Sequence, residues 1–247
     1  MKKTIILMAL AVVFACKEKP KENATEEVAK QETQTQEEPT WTVLFDGSSF
    51  DGWHVYNGGE VGEPWKLEDG AMVYYPPEER NKGKVYDLVT DKDYTNFVLS
   101  LEWKISEGGN SGIFYGIFED EKYGAPYVTG PEIQVLDDEG HPDGKNGATH
   151  QAGALYDMIA VSEKTVKPVG EWNQVELTIN HKTNQGQVAL NGKKVVEFPV
   201  HGPEWDEMVA NSKFKGWEGF GAYQTGKIGL QDHGNIVAFR NIKIKEL

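Results

Sequence analysis

Acidic, imidazole and amide side chains crowd one stretch of the chain, Pro131 to Asp157, PEIQVLDDEGHPDGKNGATHQAGALYD. It begins as a strand. Ile133 and Val135 alternate with Glu132 and Gln134, so the apolar pair takes one face and the polar pair the other. A loop follows that carries Asp137, Asp138, Glu139, His141, Asp143, His150 and Gln151, broken by glycines, before the chain resumes in Leu155, Tyr156 and Asp157. Such groups can move protons or bind cations, and a loop held by a rigid scaffold is where function is often carried. Taken alone, the stretch is slightly better read as a solvated connection whose charges keep it soluble.

Positioning these groups falls to strands. Phe97 to Ile105 is the clearest, with Phe97, Leu99, Leu101, Trp103 and Ile105 facing one way and Val98, Ser100, Glu102 and Lys104 the other. Trp172 to Asn180 repeats the alternation. Gln187 to Leu190 and Lys193 to Phe198 flank Asn191-Gly192, a pair suited to a type I′ hairpin turn. Trp41–Phe45, Trp65–Leu67, Ala71–Tyr74, Val85–Thr90, Ser111–Phe118 and Lys227–Gln231 add further strands. Pro203 to Phe214 has helical spacing in Trp205, Met208 and Val209. In Ile236–Ile244 the apolar residues switch parity, which calls for a bulge or for cover on both faces. Many short strands with Gly-rich turns and one helix imply a β-sandwich or barrel in a single domain, 41–247.

The 247 residues are 38% hydrophobic with a formal charge of -14, and that charge argues against a nucleic-acid partner. Removing the charges of residues 1–40 leaves -13, so the acidity belongs to the folded part. Residues 1–16 read as a signal peptide. Lys2 and Lys3 precede the apolar run TIILMALAVVFA, which is short for a membrane span, and Val13-Phe14-Ala15-Cys16 resembles a bacterial lipobox despite the bulky Phe14. Cys16, the single cysteine, would be lipidated and would tether the protein to a membrane of the cell envelope, periplasm-facing or at the surface. Residues 17–40 lack aromatics and read as a disordered tether.

Seven segments agree with one family. Trp41–Trp53 (WTVLFDGSSFDGW), GNSGIFY from Gly109, PEIQVL from Pro131, AGALYD from Ala152, GEWN from Gly170, LNGK from Leu190 and Gly229–Leu247 together resemble the 3-keto-disaccharide hydrolase domain, in order and spacing over Trp41 to Leu247. This was formerly a domain of unknown function described as a candidate glycosyl hydrolase. The resemblance implies an all-β, concanavalin-like jelly roll of two curved antiparallel sheets. It also implies a carbohydrate site on the concave face and hydrolase or lyase-type cleavage of 3-keto-glycosides. A ketone at carbon 3 acidifies the carbon 2 proton. The route then needs a base, an acid for the leaving oxygen and a donor or cation for the enolate oxygen, and it does not need the paired carboxylates of ordinary glycosidases.

On the matched motifs, His233 is the first choice for proton transfer, with Glu132 as base or metal ligand and Asp157 to orient a histidine or bind metal. Gln134, Asn110, Ser111, Tyr115, Tyr156, His141, Gln231 and Arg240 are candidate substrate contacts; Arg240 is expected to be paired or substrate-facing. Each has a plain alternative: a surface charge for Glu132, a turn residue for Asp157 and Asn110, a structural role for His233. Glu132, Asp137, Asp157 and His233 could assemble a divalent metal site, though their spacing does not require one. The rival to an enzyme is a non-catalytic carbohydrate-binding lipoprotein module, followed by an adhesive surface domain.

Overall fold

A computed structural model describes residues 40–79 and 83–247. The expectations for the signal peptide, Cys16 and the tether up to residue 39 fall outside them. The described strands are β1 (Thr42–Phe45), β2 (Trp53–Val55), β3 (Trp65–Glu68), β4 (Ala71–Tyr74), β5 (Leu88–Thr90), β6 (Phe97–Ile105), β7 (Asn110–Ile117), β8 (Glu132–Leu136), β9 (Asn173–Asn180), β10 (Gln185–Leu190), β11 (Lys193–Phe198), β12 (Lys227–Leu230) and β13 (Val237–Glu246), with one helix, α1 (Pro203–Ala210). They form a jelly-roll sandwich of two antiparallel sheets. One is ordered β11-β10-β9-β6-β13-β4-β3, with β1 also paired to β13; the other is ordered β2-β5-β12-β7-β8.

Alternation fills the space between the sheets. Leu99, Leu101 and Trp103 of β6, Val175 and Leu177 of β9, and Ile133 and Val135 of β8 all join one buried cluster. Asn191 and Gly192 both take positive φ, 53° and 82°, as the type I′ turn requires. The parity switch in β13 is a bulge: its register shifts between Arg240 and Lys243, and Asn241 sits at φ 53°. Two expectations change. The helix ends at Ala210, where Asn211 closes the last turn, so 211–223 is loop. Val85 to Asp87 is not strand, whereas the short β2, not expected, borders the smaller sheet.

Strand β7 lies between β8 and β12. Opposite Gly112 is Gln134, and opposite Phe114 is Glu132. The Gln231 N–H donates to the Gly112 carbonyl at 2.9 Å, which carries the β12 pairing one residue further. The outer faces of three strands therefore bring Asn110, Gly112, Glu132, Gln134 and Gln231 together. The loop after β8 then folds back along it. Gln134 N–H donates to Ala154 O (3.1 Å), Gly153 N–H to Gln134 O (2.8 Å) and Tyr156 N–H to Glu132 O (3.0 Å). The loop is thus built into the sheet rather than left as a solvated connection.

Candidate active site

A cavity of about 260 Å³ lies over the outer face of β7 and β8, and Glu132, Gln134, Asn110, Tyr156, Lys213, Gln231 and His233 are among its lining residues. Glu132 is the buried carboxyl among them. It is 8% exposed and receives no hydrogen bond from any described residue. Burial pushes its pKa up to about 8; Lys213 pulls the other way, while Asp87 and Asp143 push it higher. The carboxyl is therefore largely neutral at pH 7. Space for it exists because residue 112 is glycine: a Cβ there would overlap the Glu132 carboxyl, standing 2.7 Å from Cδ.

Two further polar atoms at the cavity lack partners among the described residues, Asn110 Oδ1 and Gln231 Oε1, both buried. Native interiors seldom leave such atoms unsatisfied, because each costs the desolvation of a polar group. Both are acceptors of residues that line the cavity.

Tyr156 and Lys213 are held by a relay through His150. The Tyr156 hydroxyl donates to Asp143 Oδ2 at 3.0 Å. His150 Nδ1 meets Asp143 Oδ1 at 2.9 Å, and its Nε2 meets Asp157 Oδ1 at 3.0 Å. Asp157 Oδ2 in turn accepts from the Lys213 backbone N–H at 2.6 Å. Lys213 Nζ lies 4.0 Å from the centroid of the Tyr156 ring. Burial opposes ionisation of Asp143, yet hydrogen bonds from Asn146, Tyr156 and His150 outweigh it and hold its pKa below the ordinary carboxylate value. Burial, followed by the hydrogen bond to Asp143, holds the Tyr156 phenol well above its usual range.

The sequence candidates separate into three groups. Glu132, Gln134, Asn110, Tyr156, Gln231 and His233 share the cavity. Asp157 and His141 stand behind it: Asp157 clamps His150 and Lys213, and His141 Nδ1 accepts from the Asp143 N–H at 3.1 Å while its ring meets His233 edge-on at 5.8 Å. Ser111, Tyr115 and Arg240 lie elsewhere. Ser111 and Tyr115 occupy the opposite parity of β7 from Asn110. The Ser111 hydroxyl donates to Gln231 O at 2.8 Å, and Tyr115 is in the inter-sheet core against Phe198. Arg240 is on the other sheet, bonded to Glu102 at 2.6 Å and stacked on Trp172 at 4.0 Å, so it is paired rather than substrate-facing.

The four proposed metal ligands do not converge. Asp137 is committed to the Gly108 and Gly140 N–H groups at 2.8 and 3.0 Å, Asp157 to its clamp. Among the described residues no group of three His, Cys, Asp or Glu side chains is placed to hold a metal ion. Sequence reasoning missed Lys213, Asp143, His150 as a bridge, and the aromatic residues Tyr127, Phe214 and Trp217 at the cavity. Asp143 and His150 were visible as loop residues. Lys213 had no signal, because it lies in a stretch read as helix.

The family model of the 3-keto-alpha-glucoside-1,2-lyase-like domain matches residues 40–245. A protein of Bacteroides thetaiotaomicron named 3-keto-disaccharide hydrolase is 36% identical over 230 residues, covering 84% of this chain and 78% of the relative. A crystal structure of a candidate glycosyl hydrolase from Parabacteroides distasonis superposes with a TM-score of 0.77 at 37% identity, over 84% of this chain and 94% of that one. A second from the same organism gives 0.62 at 28% identity, over 84% of this chain and all (100%) of that one.

Proposed function

The chain belongs to the 3-keto-alpha-glucoside-1,2-lyase-like domain family, and from that premise we propose that it cleaves glycosides whose sugar carries a ketone at carbon 3. In this reading His233 takes the carbon 2 proton. The electron pair forms the enolate, and the Lys213 ammonium faces the enolate oxygen. As the bond from carbon 1 to the leaving oxygen breaks, Glu132, neutral at the start, gives its proton to that oxygen. Water then adds across the double bond. Its hydroxide bonds carbon 1 as Glu132 takes back a proton, and the imidazolium of His233 returns the other to carbon 2. The net change is hydrolysis. Asn110, Gln134 and Gln231 line the space taken by the bound sugar. Asp157, His150 and Asp143 only position Lys213 and Tyr156.

The observation that supports this most is Glu132: a buried carboxyl that no described residue hydrogen-bonds, facing a cavity lined by the amides of Asn110, Gln134 and Gln231. The test is release of the aglycone from a 3-keto-glucoside by the soluble domain. Glu132→Gln and His233→Ala should each slow release by roughly 10² to 10⁴-fold, the usual range for a lost general acid or base. Sugar binding by calorimetry without turnover would favour the binding module instead. We also propose that Cys16 is lipidated and that the domain works in the cell envelope, tethered to a membrane; the apolar run ending at that cysteine supports this.

A further inference from the structure

Tyr127 and Trp217 line the cavity that holds Glu132, yet they remain 44% and 38% exposed. Their ring centroids are 6.2 Å apart with the planes 51° apart, so they form an open pair. The pair is fixed from behind. Phe214 meets Trp217 edge-on at 5.3 Å and stacks on Phe220 at 3.8 Å. Tyr127 sits in a 3₁₀ turn, Pro126–Val128, and the Gly221 N–H donates to the Thr129 carbonyl at 2.8 Å, tying the two segments together. Rigid, exposed aromatic surface at a reactive cavity is surface kept for a ligand.

The cavity is small. Its volume of about 260 Å³ falls just below the usual range for ligand sites, room for one sugar ring beside the acid–base groups. Tyr127, Gln231 and His233 also line an adjoining cavity of about 380 Å³ whose other residues include Lys84, Asp87 and Asp232. The boundary between the two compartments therefore carries Tyr127, Gln231 and His233, the last being the group assigned to the carbon 2 proton. Polar and charged lining suits a leaving group that bears hydroxyls, and the aromatic pair suits the C–H face of a pyranose.

We propose that Tyr127 and Trp217 form a stacking platform for the leaving sugar of the substrate, which extends into the compartment lined by Lys84, Asp87 and Asp232. This makes the substrate a glycosyl sugar and rests on the cleavage reading above. The platform uses binding energy away from the reacting carbons to hold the scissile bond against the proton donor.

The experiment compares kcat/KM for three 3-keto-glucosides, with a glucose, a methyl or a phenyl leaving group. Trp217→Ala and Tyr127→Ala should each lose about tenfold more on the glucosyl substrate than on the methyl one, a ring-stacking contribution. Trp217→Phe should recover most of the loss, and melting temperatures check that the variants fold. Equal losses on all three substrates, or the largest loss on the phenyl substrate, overturn the platform. Should the wild type turn over none of them, the cleavage reading fails by itself. Calorimetry with an unoxidised glucose disaccharide then decides the platform: about tenfold weaker binding by Tyr127→Ala supports it, and unchanged binding overturns it.

Discussion

Glu132 is held in a state that the unfolded chain does not share. Its folded pKa of about 8 lies above the ordinary value of 4.5. Between those two values the unfolded chain ionises while the folded one keeps its proton, so stability falls as pH rises and the loss is complete above about 8. Below 4.5 both forms are protonated and nothing is lost. A glutamine is neutral throughout, so Glu132→Gln should melt higher than the parent at pH 7, by on the order of 3 kcal/mol, with the gap closing toward pH 4.5. Thermal melts at the two pH values measure this, and a gap that does not shrink in acid would show the carboxyl to be solvated. Donation by the neutral acid should likewise fade above pH 8. The alternation of PEIQVL made the facing of Glu132 legible, because a period of two assigns faces without any tertiary information. Its strained ionisation was not legible, since that depends first on its burial and then on Lys213 and Asp87 arriving from distant segments.

At the level of elements, β7 and β8 set the geometry. A glycine opposite Gln134 leaves the gap in which the Glu132 carboxyl sits. Gly112→Ala should displace that carboxyl and lower kcat/KM roughly a hundredfold, the usual cost of moving a catalytic group by about an ångström. An unchanged far-UV circular dichroism spectrum would show that the sheet survives; full activity would show that the gap has no catalytic meaning. The strands themselves were readable wherever one face is apolar, as in β6 and β9. Strand β7 was harder. Its residues are buried on both faces, so NSGIFYGI offers no clean alternation to say which parity faces the cavity, that of Asn110 or that of Tyr115. The end of α1 was misplaced for a related reason. Phe214 is an apolar residue at the expected end of the helix, but its ring stacks on Phe220 in a loop.

At the scale of the whole molecule, Glu38–Leu247 forms one compact unit and contains every residue of the cavity. The proposed anchor precedes it. Cys16→Ser should therefore move the protein from the membrane to the soluble fraction and leave both the melting temperature of the domain and its turnover unchanged; continued membrane partition would refute lipidation at that position. The family was legible because its segments recur in order along the whole folded region, whereas convergence of groups from β7, β8, β12 and the 211–223 loop needed coordinates. The backward course of Ala154–Tyr156 along β8 has one more effect. It occupies the backbone donors and acceptors that would otherwise line the open border of the smaller sheet, the kind of border through which β proteins recruit foreign chains and aggregate. The segment that delivers a phenol to the reaction chamber thus also guards solubility, and loosening it to admit larger substrates would expose a sticky seam.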